Sequence, residues 1–261
     1  MNKQGYVALG ILAGSATLLL PLPFPDTNQG LMAKALVVLV TSIAALLPDL
    51  DHKTSTASQK IQFSAKHRKQ FKITGGFTLL IGIVLLLCQW QWGVGSAWSM
   101  ITKTAPYWCG IGIILLSLAH LRTIILSGSG IALMWAYYVY DLHWIAVFVA
   151  VALFIIPLVK HRGIIHTPEF AAILSLGLLS FAGQENIWIQ AILLGVVVGW
   201  WAHLAGDIFG TDGIHSLLLP KVGVALRLFS NGGKAERWIS KCCWFGSFGL
   251  WIFLLQQTFI H

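Results

Sequence analysis

The chain has 261 residues, of which 57% are hydrophobic and 10% charged, against about 25% charged in an ordinary soluble domain. That balance excludes a water-soluble globular enzyme and points to a bilayer, whose hydrocarbon core takes ~20 mostly apolar residues per helix. A net charge of +8 would suit nucleic acid, but the cations are gathered into a few loops between apolar runs, the pattern of loops held on the cytoplasmic side of a membrane.

In chain order the apolar runs mark about nine candidate spans, at 6–24, 31–47, 73–92, 105–121, 123–140, 143–159, 168–182, 187–207 and 242–260. The first follows a single Lys3 and contains "AGSA". A secretory signal would need a richer basic region and a shorter apolar run, so a retained span is expected. The fifth is interrupted by "SGSG" at 127–130. Because glycine inside a helix costs ~1 kcal/mol, a broken or re-entrant piece is expected there.

Lys53, Lys60, Lys66, Arg68, Lys69 and Lys72 fill one loop, Lys160 and Arg162 a second, and Lys221, Arg227, Lys234, Arg237 and Lys241 a third. The segments 93–104 and 183–186 carry only Lys103. The reading is an all-α polytopic membrane protein of about 8–9 helices. It forms one membrane-embedded domain over 1–261, with its N-terminus and basic loops in the cytoplasm, its C-terminus outside and membrane lipids as partners. The cysteines at 88, 109, 242 and 243 show no C-x-x-C spacing and read as small buried residues, neither disulfide nor metal ligands.

On this topology, polar residues that end spans collect on the cytoplasmic side: Asp49, Asp51 and His52, then His161, Arg162 and His166, then His203 and Asp207. Ionisable groups at a membrane are costly to desolvate and are functional candidates, paired or facing a wet cavity. In "GVVVGWWAHLAGD", Gly195, Gly199, His203 and Asp207 recur every fourth residue and share one helical face. The glycines admit a close neighbour helix, and His203 with Asp207 can grip a metal or simply bond to one another. In "LLPDLDH", Asp49 and His52 meet on one face, while Asp51 needs a local turn to join them or orients a histidine from outside the ligand set.

In "KHRGIIHTPEF", Thr167 can cap a helix with Pro168 at its first position, and Gly163 permits the turn between His161 and His166. The helix N-terminus and Arg162 favour an anion such as phosphate, although Arg162 can equally pair with Asp49 or Asp51. His215 is a reserve ligand, and His67, His120, His143 and His261 have solvated or packed roles. The segment "KHRKQFKI" at 66–73 echoes "KHRGIIHT", but too few residues are shared to make a repeat.

In order along the chain, "LLPDLDH", "HRGIIHT", "HLAGDIFGTDG" and "GGKAER" resemble the motifs of the YdjM-like family of membrane-bound metal-dependent hydrolases. The stretch 54–159 looks like an added block with extra spans. The resemblance implies a protein of the bacterial cytoplasmic (inner) membrane, with a divalent metal centre and hydrolytic activity. The motif positions fall on Asp49, Asp51, His52, His161, Arg162, His166, His203 and Asp207, and a later acidic position on Glu236. Tyr6 stands where members often carry a histidine, Gly210 where a threonine is usual, and Thr167 where serine is frequent. More distantly, the family is similar to zinc-dependent phospholipase C and related single-strand nucleases.

On these grounds Asp49, His52, His161, His166, His203 and Asp207 are expected to hold one or two divalent ions, Zn²⁺ before Mn²⁺ or Fe²⁺. Arg162 is expected to clamp a phosphoryl oxygen, and Asp51 or Glu236 to handle the proton. The expected substrate is a lipid or other phosphoester, and no nucleic acid is expected to bind. An intramembrane metalloprotease would want H-E-x-x-H, which the chain lacks. A metal transporter would place ionisable residues in mid-bilayer, and a structural site would leave no open coordination position.

Overall fold

The computed structural model describes residues 1–25, 27–51, 60–92, 99–157, 163–211, 213–219 and 222–260. Its longer helices are α1 (Lys3–Thr17), α2 (Asn28–Ala44), α3 (Ala65–Trp92), α4 (Ala105–Ala119), α5 (Leu121–Tyr140), α6 (Ile145–Ile155), α7 (Pro168–Ala182), α8 (Ile187–Phe209) and α9 (Lys234–Ile260). A single turn, Ser99–Thr102, precedes α4, and an antiparallel pair, β1 (Ile214–His215) with β2 (Gly223–Val224), follows α8. Several helices start where short polar side chains satisfy the free amides of a first turn. Asn2 accepts from Gly5, Thr27 from Gly30, and Asn186 from Trp188 and Ile189.

The helices sort into a core bundle and an arm. In the core, α8 packs against α1, α2 and α7, and α9 lies along α1. The middle of this bundle is built on small residues, as expected of membrane helices that gain from close backbone approach. α2 is clamped between two glycine faces. A Cβ on Gly199 of α8 would come within 2.6 Å of the Thr41 carbonyl and of Ala44, and one on Gly10 of α1 within 3.0 Å of Ala45. Within the most apolar window of α8, 44% of the residues are buried, against 11% for α3, α5 or α9, so α8 is the axis of the molecule.

The arm consists of two helical hairpins, α3 with α4 and α5 with α6, joined at the α4–α5 corner. It meets the core chiefly where α6 touches α7. α5 runs unbroken through Ser127–Gly130, where the sequence suggested an interruption. The reason lies in packing: a Cβ on Gly130 would stand 2.7 Å from the Ala150 carbonyl, so this glycine admits α6, and the contact compensates its poor helix propensity.

Four helical segments, Ala65–Gln91, Leu121–Tyr140, Ile187–Phe209 and Lys234–Gln256, are long and apolar enough to cross a membrane. Asn28–Ala44, Ala105–Ala119, Ile145–Ile155 and Pro168–Ala182 are apolar but shorter. A helix of 15 residues spans about 22 Å, less than the ~30 Å of a hydrocarbon core. By length and composition alone, four candidate spans stand among the described residues, beside the 8–9 that the apolar runs of the sequence suggest.

Candidate metal centre

Three irregular or helix-end segments meet at one end of the core. α2 stops at Ala44, a few residues before Pro48, because proline supplies no amide hydrogen and disfavours helical backbone before it. The chain then makes a tight 3-10 turn, Pro48–Asp51, and this turn carries Asp49. A second 3-10 turn, Ile164–His166, leads into α7. There Thr167 Oγ1 accepts from the Phe170 amide at 3.2 Å, and Pro168 occupies the first helical turn, as the sequence suggested. Trp200 Nε1 donates to the Ile165 carbonyl at 3.2 Å and so pins the His166 turn to α8. His203 and Asp207 project from α8 one turn apart.

The four side chains converge. His203 Nε2 lies 3.3 Å from His166 Nε2, 3.4 Å from Asp207 Oδ2 and 3.9 Å from Asp49 Oδ1. His166 Nε2 is 3.9 Å from Asp207 Oδ2 and 4.0 Å from Asp49 Oδ1. Among the described residues, Asp49, His166 and His203 form the one group of three such side chains spaced to hold a metal ion, and Asp207 adjoins both histidines. The side chains of His166, His203 and Asp207 are 3%, 0% and 1% exposed, while that of Asp49 is 30% exposed. The group is closed on the protein side and open at Asp49.

The orientation of the His203 ring follows from its partners. Its Nδ1 lies 2.7 Å from the Ala45 carbonyl, an acceptor, so Nδ1 carries a proton and Nε2 is the nitrogen turned toward the carboxylates. Tyr6 completes the support. Its hydroxyl donates to Asp207 Oδ1 at 2.5 Å, leaving Oδ2 turned to the histidines, and its ring stacks on His203 with centroids 4.1 Å apart and planes 12° from parallel. Carboxylate oxygens and imidazole nitrogens that all offer lone pairs toward one point repel one another unless a cation lies between them. Ligands about 2.0–2.2 Å from a tetrahedral ion stand roughly 3.3–3.6 Å apart, close to the spacings here. The donor set therefore fits a divalent cation.

The other sequence-derived residues are distributed differently. His52, His161 and Arg162 lie outside the described residues, as does the side chain of Asp51. Glu236 is fully buried, and its two oxygens accept the backbone amides of Asn2 and Gly232, which ties the start of α1 to the start of α9. His215 sits in β1 over Gly223 and is not one of the side chains spaced to hold a metal ion. That strand pair is tethered by Glu169 at the start of α7, which accepts from Ser216 Oγ and from the Leu217 amide at 3.0 Å.

Two supports were hidden from sequence reasoning. A backbone carbonyl such as that of Ala45 leaves no trace in residue type. Tyr6 was signalled only by its place in the family pattern, and its hydrogen bond to Asp207 joins residues 201 positions apart.

Fold and cluster together define a helical membrane protein with a candidate metal-binding group at one end of its core bundle. The chain belongs to the YdjM inner membrane protein family, whose sequence profile matches residues 1–159. The matched range takes in Tyr6, Asp49 and the 54–159 stretch, and ends before His166, His203 and Asp207. No curated protein and no solved structure matches the chain.

Proposed function

We propose that the chain is a membrane-bound metal-dependent hydrolase acting on a lipid or other phosphoester at the cytoplasmic membrane surface. The observation that carries this reading is the meeting of Asp49, His166, His203 and Asp207, with Asp49 alone reaching solvent. Mixed nitrogen and oxygen donors suit Zn²⁺, and serve Mn²⁺ or Fe²⁺ as well. A cation held there would supply Lewis acidity and lower the pKa of bound water to about 7, making hydroxide available at neutral pH.

The chain's own groups take the remaining roles. His203 is held by Ala45, and Asp207 by Tyr6, so the buried half of the site is preorganised and the substrate would enter from the Asp49 side. Arg162 would hold a phosphoryl oxygen. Of the two proposed proton carriers, Glu236 already accepts backbone amides with both oxygens, which leaves the role to Asp51. His52 and His161 would serve a second ion. The basic loops and the site face the cytoplasm in this reading, following the charge bias of the loops.

The test is elemental analysis of the detergent-purified protein beside its His203→Ala variant, together with turnover of a phosphodiester reporter. Stoichiometric metal and turnover, both lost in the variant, are expected. Metal without turnover across a broad lipid panel would replace the hydrolase with a structural site, and metal flux in proteoliposomes would replace it with a transporter.

A further inference from the structure

The basic residues of the arm do more than mark a side of the membrane. At the junction of α3, α4 and α5, Gln62, Arg68, Lys69, Lys72, His120 and Arg122 line a cavity of about 380 Å³. Arg122 is 5% exposed, so the cations that face the cavity openly are those of α3. Arg68 donates through Nη1 to Gln62 Oε1 at 2.6 Å, a neutral partner that orients the guanidinium without cancelling its charge. Its Nε is buried and makes no hydrogen bond among the described residues. Among the described residues no carboxylate lines the cavity, and the sequence holds no Asp or Glu anywhere from 52 to 140. Cations converging on a cavity whose own segment of chain is free of acid form a receptor for an anion.

The position of the cavity identifies the anion. It lies at the N-terminal ends of both α3 and α5, the two arm helices with the length to cross a membrane. The end of α4 at Ala119 offsets the start of α5, so the partial positive charge of the α3 start adds to that of the side chains. The turns just beyond carry apolar residues facing outward. Ile73 and Phe77 on α3 are 62% and 65% exposed, and Ile124 on α5 is 48% exposed. A polar anion-binding end continuous with an outward apolar surface matches a molecule that is a phosphate at one end and hydrocarbon at the other.

We infer that this cavity seats the phosphate of an anionic phospholipid headgroup, with the acyl chains lying along α3 and α5. The site is separate from the metal centre and does not depend on the hydrolase reading.

Native mass spectrometry of the full chain in detergent, titrated with phosphatidylglycerol, tests it. Lys69 and Lys72 are exposed, so Lys69→Gln/Lys72→Gln can be made without disturbing the fold, which an unchanged melting temperature verifies. At about 1 kcal/mol per cation near a lipid surface, that variant binds phosphatidylglycerol roughly tenfold or more weakly. Lys234→Gln/Arg237→Gln, which removes the same charge from exposed positions at the start of α9, leaves binding unchanged. Equal loss in both variants would reduce the site to diffuse attraction and overturn the proposal. Equal binding of zwitterionic phosphatidylcholine would overturn it too, and displacement of the lipid by millimolar inorganic phosphate would make the occupant a soluble phosphate.

Discussion

The core bundle and the arm are built from helices of similar composition, yet they bury different things. In the core, small residues bring α1, α2 and α8 close together, and polar side chains at the helix ends, His203 and Asp207 of α8 and Glu236 at the start of α9, are all at most 1% exposed. In the arm, the helices pair with their hairpin partners, α5 and α6 add Leu126, Ile145 and Ile156 to the apolar cluster of α7 and α8, and much of the remaining surface faces outward, as with Ile73, Phe77 and Tyr138. Enclosure suits a metal-binding group, which needs its ligands held and water limited. An outward apolar surface suits contact with lipid. The difference comes from where glycine and alanine fall along each helix, since overall apolarity scarcely distinguishes the two regions.

The contrast can be broken or sharpened by substitution. The largest effect is expected at Tyr6, which touches His203 and Asp207 of the candidate centre. Tyr6→Phe removes the hydroxyl donated to Asp207 and lowers metal affinity about 10–100-fold, measured by competition with a chromophoric chelator. Tyr138→Phe on the exposed face of α5 leaves it unchanged. If both variants hold metal as well as the parent chain, the enclosed network is not what secures the cation.

Next in size is a pair of glycine substitutions compared by thermal melting in detergent. Gly199→Ala forces a methyl against the α2 backbone and destabilises by about 1–3 kcal/mol, while Gly128→Ala, with nothing within 4 Å of the new methyl, is neutral or stabilises by up to ~1 kcal/mol. Equal melting shifts would mean that α2 and α8 are not packed as tightly as described. The smallest effect is local. Glu169→Gln weakens the tether on the β1–β2 pair and raises hydrogen exchange at Leu217 and Leu218, whose amides it accepts, without changing metal content.

Much of this organisation was legible from residue type alone. The apolar runs at 168–182 and 187–207 correspond to α7 and α8 with little adjustment, because capping residues and periodicity agree there. The run at 123–140 was misjudged through its glycines, whose cost is visible in sequence while the compensating approach of α6 is not. In the candidate metal-binding group and its neighbour, Asp49, His166, His203 and Asp207 could be singled out because ionisable residues are scarce in so apolar a chain. Their supports could not be, since the Ala45 carbonyl and Tyr6 act through backbone geometry and a distant contact. The basic cavity was hidden for a third reason. Residues 62–72 and 119–123 are far apart in the chain, and a lysine-rich loop already has a sufficient explanation in membrane topology.

The bond between His203 and the Ala45 carbonyl has a mechanical consequence. One residue of axial slip between two helices is about 1.5 Å, enough to sever a 2.7 Å contact, free the imidazole to change tautomer and spoil its lone pair for a cation. The glycine faces on either side of α2 resist that slip. The ring therefore acts as a gauge of helix register, and a ligand that grips it also locks α2 and α8 against sliding.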